Sequence, residues 1–143
     1  MTFEIRPARP EDAPALHAMN TVFNGETGVT VEQIRQRLLS CPEIVLIAEC
    51  SGTPAGFCCA QVHHSFCYPA PVAEVTEMFV TPDFRRRGCA AALLGGLERD
   101  LRTRFGVDEL HLLTGLSNDA ALAAYEKAGF RLKPEAYMTK LLQ

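Results

Sequence analysis

The sequence predicts a mixed α/β domain, and three observations carry that expectation. Short β-branched or alternating runs recur along the chain, separated by amphipathic segments with helical spacing. At 143 residues the chain has the size of one domain with one core, taken as 1–143. Apolar residues make up 48% and charged residues 22%, as in ordinary globular chains. The expected order is β-α-α-β-β-β-α-β-α-β-β.

Phe3-Glu4-Ile5-Arg6 alternates and stops at Pro7, a short first strand. Pro10-Glu11-Asp12 places a proline and two acids at a helix start, and Leu16, Met19 and Val22 then share one face of a helix over Ala13 to Val22. Asn24-Gly25 and Gly28 break it. Val31 to Leu39 repeats the pattern with Thr30 as N-cap and Pro42 beyond its end. Ile44 to Cys50 and Ala55 to about His64 read as a hairpin around Ser51-Gly52-Thr53-Pro54. Ala73 to Val80 is the next strand, with a disturbed register near Glu77-Met78 that suggests a bulge.

After the loop Thr81 to Arg87, Gly88 to Phe105 is a long helix with Ala91, Leu94, Leu97 and Leu101 on one face and Gly106 as its stop. Glu109 to Thr114 is a strand, and Ser117-Asn118-Asp119 caps a helix that reaches Ala128. Gly129 ends that helix, Phe130-Arg131-Leu132 resumes extended chain, and Tyr137 to Leu142 is expected as the final strand.

Several function classes drop out. The longest apolar runs fall short of the ~18 residues of a membrane helix, and Met-Thr-Phe-Glu-Ile-Arg lacks a signal-peptide core, so the expected location is cytoplasmic with no membrane partner. A net charge of −3 argues against a nucleic-acid partner. Cysteines 41, 50, 58, 59, 67 and 89 contain no Cys-x-x-Cys pair and read as reduced, mostly core thiols. His63 and His64 are adjacent on a strand, diverge, and have no evident third ligand, so no metal is expected. Charge is unevenly laid out: no Lys or Arg lies between Leu38 and Phe84, where Glu43, Glu49, Glu74, Glu77 and Asp83 fall, and Arg85-Arg86-Arg87 follows at once. That suggests two ligand surfaces of opposite preference.

The most informative segment is the strand Glu77-Met78-Phe79-Val80, the loop Thr81 to Phe84, and Arg85-Arg86-Arg87-Gly88-Cys89-Ala90 opening a helix. A helix start carries unpaired N–H groups and the positive end of the dipole. Small residues at Gly88 and Ala90 admit a pyrophosphate, and three arginines add charge. Neither a nucleotide-triphosphatase loop nor a dinucleotide fingerprint is present.

From Glu74 to Phe130 the chain resembles the GCN5-related N-acetyltransferases (GNAT). The family's acetyl-CoA loop, Arg/Gln-x-x-Gly-x-Gly/Ala, is matched by Arg85, Gly88 and Ala90. Its second signature is matched by Asn118, Ala121, Tyr125, Gly129 and Phe130. The resemblance implies a single mixed, mostly antiparallel sheet of about six to seven strands flanked by about four helices, splayed between strands four and five. It implies acetyl-CoA as cosubstrate, an amine acceptor, and a homodimer as an arrangement common in the family.

By that resemblance the backbone of Met78, Phe79 and Val80 receives the pantetheine arm as an added strand, and one of their N–H groups polarises the thioester carbonyl. Arg85, Arg86, Arg87, Gly88, Cys89, Ala90 and Ala91 form the pyrophosphate loop, with backbone weighing more than side chains. Asn118 contacts the cosubstrate and also reads as a plain helix cap. Tyr125, about two turns further on, protonates the departing thiolate, or else is a core aromatic. The base is Glu77, Glu74 or a water, with Glu77 favoured; on a regular strand Glu74 would face the other way. Leu113 stands where the ribosomal-protein acetyltransferases place a Glu. The function expected is acetyl transfer to a small cationic amine by direct attack in a ternary complex. The rivals are a protein lysine or N-terminus as acceptor, and a CoA-binding sensor without turnover.

Overall fold

The computed structural model describes residues 1–143 and falls into two compact units, Met1–Leu113 and Thr114–Gln143. The first unit holds a five-stranded sheet in sequential order: β1 (Glu4–Pro7), β2 (Ile44–Cys50), β3 (Thr53–His63), β4 (Val72–Val80) and β5 (Glu109–Leu112). All pairs are antiparallel except β4–β5, which is parallel. Helices α1 (Ala13–Asn24), α2 (Val31–Ser40) and α3 (Cys89–Phe105) complete this unit. No helix is long and apolar enough to cross a membrane.

Local chemistry sets these boundaries. Thr30 caps α2 in a reciprocal capping box: its hydroxyl accepts from the Gln33 N–H at 3.1 Å, and the Gln33 side chain accepts from the Thr30 N–H at 2.9 Å. On one face of the sheet Leu16 and Met19 of α1 pack with Ile47, Phe57, Cys59 and Phe79, backed by Ile34 and Leu38 of α2. On the other face lies α3, whose Leu93, Leu97 and Leu101 are fully buried and whose Gly96 meets Ile5 and Leu46. All six cysteines are free, and burial pushes the Cys58 thiol up to about 12 and the Cys89 thiol up to about 11. Such thiols are core residues rather than nucleophiles.

Two cross-sheet features are sensitive to substitution. A Cβ added at Gly56 would sit 2.5 Å from the Phe79 carbonyl oxygen and 3.2 Å from the Val80 Cα, so β3 and β4 approach too closely for any side chain there. Gly56→Ala is expected to cost about 2–3 kcal/mol by overpacking, a fall in Tm of roughly 5–10 °C readable by thermal melts. The second feature is Arg6, which bridges Asp12 and Glu49, each at 2.8 Å, with all three side chains largely shielded. The Arg6 guanidinium holds the Asp12 carboxyl below the usual range. A lowered carboxylate pKa stabilises fully above the unfolded value and loses its effect as pH falls through the folded value. Arg6→Met should therefore lower stability by about 2 kcal/mol at pH 7. The gap to the parent chain should narrow in melts at about pH 3, below the ordinary Asp value.

The second unit contains α4 (Asp119–Lys127) and the segment 131–143. Five strands form rather than six to seven: neither Phe130–Leu132 nor Tyr137–Leu142 is a strand. The alternation that suggests a strand is a property of one segment, whereas a strand needs a hydrogen-bonded neighbour, and this unit contains none.

The expected bulge lies at Thr76, one residue earlier than the sequence suggests. Cys59 pairs with Glu77 and Ala60 with Val75, which leaves Thr76 as the extra residue on β4. Because β3 keeps alternating, Gln61 and Cys59 share a face, and so do their partners Glu74 and Glu77. A regular strand would have put these two acids on opposite faces.

Candidate active site

Strand β4 is where the sheet opens. β5 pairs only with Val72 to Val75, so beyond the bulge this edge of β4 has no neighbour within its unit. The Thr81 N–H donates to the Ala55 carbonyl at 2.9 Å on the β3 side. By alternation the backbone groups of Phe79 also turn to β3, and those of Met78 and Val80 turn to the open edge. Of the three residues expected to receive an extended ligand, two therefore offer backbone groups to it. The Val80 carbonyl already accepts from Arg85 Nε at 2.9 Å, and the same guanidinium lies over the Phe79 ring at 5.7 Å. Arg85 thus ties the loop to the strand with its side chain. The hydroxyls of Thr76 and Thr81, at the two ends of this open stretch, are buried without a hydrogen-bond partner. Such groups cost about 1–3 kcal/mol unless a ligand or water pairs them.

The strand runs into a loop whose backbone is bent for anions. Arg86 has φ +60° and Gly88 φ +89°, both left-handed, flanking Arg87. Turns of this kind point successive N–H groups inward as a nest. Gly88 is the N-cap of α3, no side chain caps that end, and the first helical bond is Ala92 N–H to Gly88 at 3.0 Å. The N–H groups of Cys89, Ala90 and Ala91 are thus left as donors at the positive end of a 17-residue helix. What these residues offer is backbone donors, and the one non-glycine left-handed residue among them, Arg86, is strained by order 1 kcal/mol or more.

Glu77 lies on the face of β4 that α1 covers, paired across to Cys59. Burial raises its pKa above the ordinary carboxylate value, and a hydrogen bond from Asn24 at the end of α1 partly opposes that. Glu43 is raised as well, by burial first and then by the charge of Glu77, with Arg37 opposing. Phe23, next to Asn24, stacks on Phe79 with centroids 5.3 Å apart. Asn24 and Glu43 are functional neighbours that sequence reasoning did not single out. Asn24 reads there only as half of an Asn-Gly helix break, and Glu43 only as one acid in an acidic stretch. The charge gap from Leu38 to Phe84 was the one available signal.

The second unit presents the other signature. Asn118 Oδ1 accepts from the Ala121 N–H at 3.2 Å, so the cap role of Asn118 is realised. Tyr125 follows two turns later on the same helix. The helix ends in a Schellman motif: Phe130 N–H donates to the Tyr125 carbonyl and Gly129 N–H to that of Glu126, each at 3.0 Å, with Gly129 at φ +101°. The Phe130 ring packs edge-on against Tyr125 at 5.7 Å. The Gly-Phe pair of the signature is therefore the device that stops the helix and fixes the tyrosine.

The acetyltransferase (GNAT) family matches residues 13–130 of the chain. An acetyltransferase from Yersinia enterocolitica is 32% identical over 109 residues, covering 76% of this chain and 72% of that protein. Among solved structures, AAC(6')-Iy in complex with a bisubstrate analogue, CoA-S-monomethyl-acetylneamine, superposes with a TM-score of 0.86 at 21% identity, covering 100% of both chains. An aminoglycoside acetyltransferase from an uncultured soil metagenomic sample, in complex with sisomicin, gives 0.84 at 16% identity, covering 99% of this chain and 97% of that one. With the match spanning most of its length, the chain belongs to the GNAT family and is an acetyl-CoA-dependent N-acetyltransferase.

Proposed function

We propose that the enzyme acetylates a primary amine of a small cationic acceptor, by direct attack on acetyl-CoA in a ternary complex, with both units serving one catalytic domain. The observation that carries this reading is Glu77: a shielded carboxylate of raised pKa, on the β4 stretch whose far edge is open. The acids of strands β2 to β4, with no Lys or Arg from residue 39 to 84, favour a cationic partner. The soil acetyltransferase found with sisomicin has the same fold, which agrees with an amine-rich acceptor.

In this mechanism the pantetheine arm adds to β4 through Met78 and Val80, and the nest and helix start hold the pyrophosphate. Glu77 takes a proton from the ammonium group, directly or through water, because an alkylamine with a pKa of about 10 is protonated near neutral pH. The neutral nitrogen attacks the thioester carbon, and a β4 N–H receives the developing oxyanion. That attack forms the C–N bond, and collapse of the intermediate restores the carbonyl and breaks C–S. Tyr125 gives its proton to the sulfur, and the second nitrogen proton returns to Tyr125 through solvent. Asn118 contacts the cosubstrate with whatever hydrogen-bonding capacity its cap role leaves.

The test is free-CoA release from acetyl-CoA over a panel of polyamines, aminoglycosides, amino acids and lysine peptides. Turnover with cationic small amines supports the reading. Turnover confined to peptides would overturn the acceptor class, and acetyl-CoA binding without turnover on any amine would favour a sensor.

A further inference from the structure

Glu74 was weighed above only as a rival base, yet the bulge at Thr76 turns it onto the face of Glu77, on the stretch of β4 that still pairs with both β3 and β5. There it is gripped from both sides. His63 of β3 brings Nε2 to 3.5 Å from Glu74 Oε2, and His111 of β5 brings Nε2 to 3.9 Å from the same oxygen. The two imidazoles are near-parallel, 19° apart with centroids 6.3 Å from one another. All three side chains are reachable, at 48% exposed for His63, 26% for Glu74 and 45% for His111.

Both contacts are longer than a hydrogen bond, so the carboxylate is held in place while its oxygens keep acceptor capacity. It lies where β5 still pairs with the strand, short of the open Met78–Val80 edge, a place for a binding group rather than for the base. Its β3 partner Gln61 stands two residues from Cys59, the partner of Glu77, so the two acids lie about 7 Å apart along the sheet at about 3.3 Å per residue. On that face the nearest carboxylates are Glu43 and Glu77, strands β2 to β5 carry no Lys or Arg, and the basic groups facing Glu74 are His63 and His111.

We propose that Glu74, positioned by His63 and His111, is the specificity-determining residue that binds a second ammonium group of the acceptor while the first reacts beside Glu77. This rests on the amine-acetylation reading and narrows it: the acceptor carries two amino groups about 7 Å apart along an extended molecule. His63 and His111 are positioning residues in this arrangement. A monoamine fills only the Glu77 end.

The test uses α,ω-diamines of increasing chain length and monoamines of matching length, in steady-state assays and in direct calorimetric binding. The parent enzyme should show KM falling sharply once the diamine spans the two acids. Glu74→Gln should raise KM for those diamines about tenfold or more, the worth of one charge-assisted contact, while kcat and the monoamine KM stay within about twofold. His63→Gln/His111→Gln should shift the diamine KM the same way and less, and it reads the same split if Glu74→Gln folds poorly. Equal effects on monoamines and diamines, or none, overturn the proposal while turnover itself leaves the acetylation reading intact. Diamine binding that depends on Glu74 without turnover on any amine supports the subsite and overturns that reading. No diamine binding by the parent chain overturns the subsite alone, and the acetylation reading then stands or falls on turnover with the other amines of the panel.

Discussion

Replacing Glu77 by Gln should lower kcat by about 10²-fold or more, the usual worth of a positioned general base, with acetyl-CoA affinity little changed. The isosteric amide keeps the packing against Cys59 and the bond to Asn24 but cannot take a proton. The pH profile discriminates this role from a structural one. Burial lifts the Glu77 pKa above its ordinary value, so the acid limb of log kcat/KM should lie above the usual carboxylate range of about 4.3. It should vanish in Glu77→Gln. Asn24 stabilises the charged form by hydrogen bonding. Asn24→Ala should therefore move the limb to higher pH while leaving the plateau rate nearly intact. An unmoved limb in Asn24→Ala and a fully active Glu77→Gln would leave Glu74 or water as the base.

Tyr125→Phe should lower kcat by a similar factor, about 10²-fold. The ring keeps its edge-on contact with Phe130, and the Schellman bonds involve only backbone. What is lost is the proton for the thiolate. Acyl donors with better leaving groups separate this from a positioning effect: a donor whose thiol is more acidic than that of CoA should recover most of the rate in Tyr125→Phe, because its thiolate departs without a proton. Equal defects with both donors would place Tyr125 among the binding residues. Phe130→Ala provides the complementary measurement, since it frees the ring while sparing the hydroxyl, and should give a smaller loss of kcat.

Most of the first unit was legible because its signals are local. The capping box at Thr30, the hairpin turn before Thr53, the stop at Gly106 and the Arg85-x-x-Gly88-x-Ala90 loop each act over a few residues, and each appears where the sequence suggests. Tyr125 and Asn118 were legible through their spacing on one helix, and the structure adds why Gly129 and Phe130 accompany them. The side-chain role of Arg85 was not legible: nothing in the loop sequence says that its guanidinium folds back onto Val80 and Phe79. The last strands failed for a related reason, as alternation over Tyr137 to Leu142 names a competent strand without supplying its neighbour.

By itself, then, the sequence determined the class of the fold, the small-residue start of the long helix, the tyrosine on its own capped helix and the acidic character of the middle strands. All of these follow from backbone propensity, caps and composition, which act within a few residues of the chain. Only the tertiary structure decided which acids share a face, because a single extra residue at Thr76 reverses the alternation that sequence reasoning must assume. It also decided that Asn24 reaches Glu77 and that His63 and His111 flank Glu74. Those contacts join strands and helices distant in sequence, so register and packing set them rather than the identity of the residues alone.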